Sequence, residues 1–356
     1  MVNVVFPISM TRFFSLLLLT SLCACKVLVP QKYRQYISDD PWKHIRLAKE
    51  GETPSACDSM VLMYTNRVLH PERDKILGDY IDSTGATRPF LLTAQQGQWV
   101  LFPIGSVEEG ILSLPKRNLV VYAEGMGKNF VLAAERAFGV SEQYGVTVVM
   151  MDYPGINPDY GMNKNFKFSQ RNSFNTALPL AKLLNELRHD KEKSSALQEV
   201  KWTLFFHSMG NIMFKRFLEE RMDTLANEPL FDVVVLNAAC VPQKKHNAWL
   251  VRCALGKKVL VHYNKQDKQL KGAMILTFKR QLGCRPKPPL AGNVHYVNFN
   301  LLVGNRHSTF VDVTGRPPIH PKARTYFQQI FDGSTPDYKD TKQFGKGWKN
   351  VGVSLR

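Results

Sequence analysis

In the stretch KWTLFFHSMGN, residues 201–211, Ser208 stands between an apolar run and a glycine-containing turn. Serine is a poor nucleophile at neutral pH and acts as one only beside a base that takes its proton. Further along lie an aspartate in a lysine-rich turn, Asp267 in NKQDKQLK, and a histidine in a polar loop, His307 in GNRHSTF. A hydroxyl, a carboxylate and an imidazole are the residue types used in nucleophilic acyl chemistry once a fold brings them together. Serine is equally a favoured helix cap, so Ser208 has a rival, purely structural reading. The elements that carry the three side chains separate the two readings.

Short apolar bursts begin near residue 58: MVLMYT (60–65), QWVLFP (98–103), NLVVYAEG (118–125), VTVVMMDYPG (146–155), WTLFFHS (202–208), FDVVVLNAA (231–239), KKVLVHYN (257–264) and VHYVNFN (294–300). Each is rich in β-branched or aromatic residues and is bounded by Gly, Pro, Asn or Asp, as buried strands are. Segments of helical period lie between the later ones. FNTALPLAKLLNELRHD (174–190) places Phe174, Leu178, Ala181 and Leu184 on one stripe, with Ser173 as N-cap. In 210–225 Met213 and Phe217 fall one turn apart, and 321–331 opens on Pro321, a favoured first-turn residue. Alternating strands and helices predict an α/β fold: a mostly parallel central sheet of about eight strands with helices on both faces. Functional groups in such sheets gather beyond the carboxyl ends of the strands. There the sequence has Gly125-Met126-Gly127, Tyr153-Pro154-Gly155, Ser208-Met209-Gly210, Asp267 and His307, in that order.

Serine, acid and histidine in this order, each at or just past its own strand, resemble the α/β-hydrolase superfamily, its serine hydrolase branch without a large lid. The resemblance runs from about residue 58 to about 332. AEGMG is similar to the family's oxyanion turn, with Glu124 where histidine is usual. DYPG (152–155) is similar to the loop after its fourth strand, HSMGN to its nucleophile elbow and HSTF to its histidine loop. The resemblance implies Ser208 as nucleophile, His307 as general base and Asp267 as the group that orients the imidazole. It implies the backbone N–H groups of Met126 and Met209 as oxyanion donors, with Gly125, Gly127 and Gly210 as the small residues of the two turns. Asp152 is the rival acid. His262 and His295 are rival histidines, but both sit inside apolar strands, where a hydrogen-bonded core residue is the simpler reading. Glu124 is open between a structural role and contact with a substrate cation. Phe206 departs from the pattern, because the position two before the nucleophile is usually small. Its ring requires a wider strand–helix gap or a rotated neighbour such as Ile212 or Met213.

Residues 1–25 differ from all that follows. Arg12 is their one charged side chain, FFSLLLLTSL (13–22) is too short to span a bilayer, and the stretch closes on LCAC. This resembles a bacterial lipoprotein signal peptide, with Cys25 as the lipidated residue. Residues 26–57 read as a tether and N-terminal extension, 58–332 as the hydrolase domain and 333–356 as a basic, loosely ordered tail. The expected place is the bacterial cell envelope, with the membrane reached through the N-terminal anchor. Hydrophobic residues at 44% exclude general disorder, and the net charge of +17 suits an anionic surface. No nucleic-acid motif, metal-ligand spacing or dinucleotide fingerprint is present, so neither a nucleic-acid partner nor a cofactor is expected. Cys57, Cys240, Cys253 and Cys284 permit disulfides, although Cys240 after VVVLNAA reads as a small buried hydrophobe. YPGINPDYGMNKNFKFSQR (153–171) offers Tyr153, Tyr160, Phe166 and Phe168 beside Lys164, Lys167 and Arg171 as a mixed rim. The expected activity is cleavage of a small-molecule or lipid-like ester. The alternatives are a non-catalytic lipoprotein binding an anionic lipid or envelope polymer, and an acyltransferase using the same residues.

Overall fold

Every one of the apolar bursts forms a strand, and the strands join one sheet. The computed structural model describes residues 45–351, apart from 55–58, 74, 96–97, 127–128, 223–227, 314–315, 335, 337 and 341–347. The signal peptide with Cys25, and Cys57, therefore lie outside the described residues, as does Gly127. The strands are β1 (Ile45–Leu47), β2 (Met60–Thr65), β3 (Arg67–Leu69), β4 (Leu77–Ile81), β5 (Arg88–Gln95), β6 (Gln98–Pro103) and β7 (Leu119–Ala123). They continue with β8 (Thr147–Asp152), β9 (Trp202–His207), β10 (Phe231–Asn237), β11 (Gly256–Tyr263), β12 (Val294–Asn298), β13 (Tyr338–Asp340) and β14 (Trp348–Val351).

The main sheet has 12 strands in the order β1-β6-β5-β2-β8-β7-β9-β10-β11-β12-β14-β13, and β3 and β4 form a separate pair. From β2 through β14 every neighbour is parallel, whereas β5 is antiparallel to both β2 and β6. The mostly parallel α/β architecture is as expected, and its helical layers are compatible with a hydrolase-like arrangement. The sheet is larger than about eight strands. β1, β13 and β14 have only three or four residues, too few to display alternation, and β5 mixes Pro89, Thr93 and Gln95 into its apolar run. Two of these unforeseen strands lie in the stretch read as a tail: β14 pairs with β12 through Tyr296–Trp348, and β13 pairs with β14.

Strand alternation sorts the core into two layers. On β9, Trp202, Leu204 and Phe206 join the cluster packed under helices Ala177–Lys193 and Gly210–Glu219. Phe205 faces the other way, with helices Phe130–Tyr144 and Pro321–Phe331. The helix expected over 174–190 begins elsewhere. One helix runs Met162–Asn175, the chain turns at Thr176, and a second runs Ala177–Lys193. Pro179 explains the break: it cannot donate to the carbonyl four residues back, but it fits the first turn of a new helix. Ser173 therefore lies inside the first helix and is no N-cap. Of the expected stripe, Ala181 and Leu184 are buried as read, Phe174 and Leu178 are exposed, and Leu180, Leu183 and Leu187 complete the buried face.

The chain passes from β7 outward to β8 and then returns to β9 on the other side of β7. This reversal opens a crevice at the carboxyl ends of β7 and β9, where ligands collect in open α/β sheets. The turns after β7 and β9 border it.

Candidate active site

Ser208 follows β9 directly and is held in the left-handed region, at φ 52. A non-glycine residue there costs roughly 1–3 kcal/mol and persists only when its surroundings over-determine it. The Ser208 N–H donates to the Asn237 carbonyl (3.0 Å), and the Cys240 N–H donates to the Ser208 carbonyl (3.0 Å). The Asn211 side-chain amide donates to the Ser208 carbonyl (2.9 Å) and to that of Phe206 (3.2 Å). Ser173 adds a bond from its hydroxyl to the Met209 carbonyl (2.7 Å). The turn is thus tied to the exit of β10, to its own helix and to the helix before. Ser208 does not cap helix Gly210–Glu219: the cap position is Met209, with no side-chain capping bond. Among the described residues the Ser208 hydroxyl has no hydrogen-bond partner, and His307 is no exception.

Glycine is required on both sides of this elbow. A Cβ on Gly210 would stand 2.8 Å from the Ala123 carbonyl oxygen, and one on Gly125 would stand 2.5 Å from the Ser208 Cβ. The β7 turn and the elbow are therefore in contact. Phe206 is fully buried, and its ring stacks on Phe214 with centroids 4.6 Å apart and planes at 20°. Neither Ile212 nor Met213 is its stacking partner. Phe214 stacks in turn on Phe217 at 6.2 Å, so a layer of three rings fills the space between strand and helix.

Asp267 and His307 meet. The His307 Nδ1–H donates to Asp267 Oδ2 at 2.6 Å, while Asp267 Oδ1 accepts the N–H groups of Gln269 and Leu270, each at 2.9 Å. Asp267 is the N-cap of helix Lys268–Thr277, just beyond β11, so the helix orients the carboxylate. The Asn264 amide donates to the carbonyls of Gly304 (2.8 Å) and Arg306 (3.1 Å), tying the acid loop to the histidine loop. His307 packs against the His207 ring with centroids 4.7 Å apart, which brings it beside the residue preceding Ser208.

The rival residues are committed elsewhere. Asp152 Oδ2 accepts from Arg67 Nε (2.8 Å) and the Thr65 hydroxyl (2.6 Å) in a buried ion pair. His262 is a core residue whose Nε2 pairs with the Tyr326 hydroxyl at 2.9 Å, and His295 is half-buried within β12.

Glu124 is structural in the first place. Its Oε1 accepts the Gly125 N–H (2.8 Å), its Oε2 accepts the Tyr122 hydroxyl (2.6 Å), and Arg136 lies 3.4 Å away. Tyr153 donates its hydroxyl to the Glu124 carbonyl at 3.0 Å. The Gly125 N–H is thereby occupied, whereas those of Met126 and Met209 have no partner among the described residues. Arg136 also donates to the Ser308 hydroxyl (2.6 Å), bridging the β7 turn to the residue after His307. Beneath these groups the His207 Nδ1–H donates to the Asn237 amide oxygen (2.9 Å), and the Asn237 amide donates to His262 Nδ1 (3.2 Å). Burial pushes both His207 and His262 down to about 3, so both are neutral at pH 7. His207, Asn211, Asn237, Arg136 and Ser308 were missed in the sequence. The first two adjoin Ser208, but nothing in the sequence joins the others to it.

An apolar cluster of Phe166, Met209, Ala238, Cys240, Leu270, Ala273 and Cys284 surrounds the elbow, with Met126 packed against it. Cys240, Cys253 and Cys284 are free and buried. Burial, reinforced by the Asp267 charge, pushes the Cys240 thiol up to about 12, which leaves it inert as a nucleophile at pH 7. The mixed rim expected over 153–171 divides. Phe166 joins this cluster, whereas Phe168 packs edge-on against Tyr80 and Tyr160, and Lys164, Lys167 and Arg171 are exposed. A cavity of about 330 Å³ opens against His307, with Lys268, Arg306 and Arg316 in its wall.

No protein-family model matches the chain, and no curated protein matches it in sequence. Among solved structures it is similar to an acylaminoacyl peptidase in complex with Z-Gly-Gly-Phe-chloromethyl ketone, at 13% identity and a TM-score of 0.35 over 74% of this chain and 41% of that one. The uncomplexed acylaminoacyl peptidase of Pyrococcus horikoshii gives 12% identity and the same TM-score over 74% and 42%. The chain thus spans less than half the length of either. At that TM-score the shared geometry is too slight to assign a fold or an activity.

Proposed function

We propose that this protein is a serine hydrolase of the α/β-hydrolase type that cleaves a carboxylic ester, acyl or acetyl, through an acyl-enzyme. The observation that carries this reading is the strained Ser208 elbow, its hydroxyl unpaired, beside the 2.6 Å Asp267–His307 bond. When a substrate carbonyl enters, Ser208 Oγ attacks it and His307 Nε2 takes the proton. The oxyanion is held by the N–H groups of Met209 and Met126, the one at the helix N-terminus and the other spared by the capture of the Gly125 N–H on Glu124. His307 then protonates the leaving alcohol, and Asp267 stabilises the imidazolium. Water repeats the sequence on the acyl-enzyme; an alcohol acceptor in its place would make the enzyme an acyltransferase. The apolar cluster at Met126 and Met209 suits an acyl chain, and the cations beside His307 suit an anionic leaving group. Loose serine–histidine geometry is common before substrate binds.

A second reading rests on that same missing Ser208–His307 bond: a binding protein that keeps the hydrolase fold without turnover. A panel of short- to long-chain p-nitrophenyl esters separates the two. Hydrolysis by the wild type that is lost in Ser208→Ala and His307→Ala supports the enzyme; no hydrolysis by the wild type supports the binder. We also propose that residues 1–25 export the chain to a bacterial envelope and that Cys25 is acylated. Metabolic labelling with palmitate, abolished by Cys25→Ala, is the expected result.

A further inference from the structure

Helix Lys268–Thr277 starts at the Asp267 cap and ends in an apolar knuckle. Ile275 is 68% exposed, Leu276 40% and Phe278 94%. Phe278 is moreover in the left-handed region at φ 53, where a bulky side chain is disfavoured. The fold gains nothing from this ring, which touches almost no protein. Cations surround the knuckle: Lys271 lies one helical turn before Ile275, and Lys279 and Arg280 follow Phe278, all three exposed. The Gln243 N–H donates to the Arg280 carbonyl (2.9 Å), bringing exposed Lys244 and Lys245 to the same side. No counter-charge lies along this stretch, since no Asp or Glu occurs between Asp267 and Asp312, and Asp267 itself is fully engaged.

We propose that this knuckle docks the protein on an anionic membrane surface. Phe278, Ile275 and Leu276 enter the boundary between headgroups and acyl chains, and the surrounding lysines and arginines pair with lipid phosphates. A protein partner fits less well, because lysine is depleted from protein–protein interfaces. An anionic bilayer offers diffuse negative charge over an apolar interior, which is what an apolar tip in a cationic ring complements. At 1.5 Å per residue, the helix spans about 15 Å, so docking would hold Asp267 and His307 close to the lipid. The inference is independent of whether Ser208 turns over a substrate.

The test uses the full chain with vesicles of phosphatidylcholine, alone or with phosphatidylglycerol. In Phe278→Trp, quenching by brominated lipid should exceed that of the wild type on phosphatidylglycerol-containing vesicles and fade at high salt. Ile275→Ser combined with Phe278→Ser should lower partition onto those vesicles at least tenfold. Both read the knuckle itself, so an N-terminal anchor cannot imitate them. Unquenched Phe278→Trp, or partition unchanged in the double variant, overturns the proposal. A fluorescence shift that follows protein concentration without vesicles also overturns it, because the cover would then be a second copy of the chain.

Discussion

Two buried aspartates stand at the carboxyl edge of the sheet, and they are held differently. Asp152, at the end of β8, is locked to Arg67, whose guanidinium also donates to the carbonyls of Gly78 (3.1 Å) and Tyr153 (2.9 Å). Each of the three guanidinium nitrogens thus donates a hydrogen bond, and arginine as a residue type does not serve as a proton donor or acceptor in proteins. Asp267 is as deeply buried, but its partner is an imidazole, bonded to it through Nδ1 and packed against the ring of His207, the residue before Ser208. On the proposed function the first pair is structural and the second chemical, because histidine, unlike arginine, is a residue type that exchanges a proton near neutral pH.

Substitutions can break this contrast. Asp267→Asn should cut kcat about 10⁴-fold at little cost in stability, because the imidazole loses its tautomer while the fold keeps its helix cap. Asp152→Asn should do the opposite: unfolding free energy falls by about 3–5 kcal/mol in denaturant titration, because Arg67 is left as a buried charge, while kcat per folded molecule stays within a few-fold. Equal losses of activity in the two variants would erase the distinction. Glu124→Gln should fall between them. It weakens the capture of the Gly125 N–H and disturbs the neighbouring donor, lowering kcat about 10²-fold with KM little changed.

The effect that is smallest per pH unit, though it accumulates over several units, concerns two buried histidines. His207 and His262 are held at about 3 by burial, below the ordinary histidine value. Between roughly pH 6.5 and 3 the unfolded chain binds protons that the folded chain refuses, so stability is complete above about 6.5 and is lost as pH falls. The slope is about 1.4 kcal/mol per pH unit for each histidine, and His262→Gln should remove about half of it in thermal unfolding across that range.

How far the sequence could be read follows the range of the interactions. The strands of the parallel block are legible because alternation and boundary residues are local, and the ends of β9, β11 and β12 then locate Ser208, Asp267 and His307 as candidates. Phe206 is visible as a departure, but its accommodation is not: Phe214 lies two turns of backbone away, and only the packed helix brings the rings together. Glu124 is unreadable for the same reason, since Arg136 reaches it from the following helix and is itself tied to Ser308, in a loop far along the chain. Pro179 is the local signal for the break at Thr176, and the unbroken helical period of the leucines masks it.

Whether Ser208 is an activated nucleophile is tested most directly by peptide mapping after reaction with a fluorophosphonate. One stoichiometric adduct on Ser208 is expected, absent in Ser208→Ala and strongly slowed in His307→Ala. An unmodified Ser208 in folded protein, or an adduct that survives Ser208→Ala undiminished, would contradict that role.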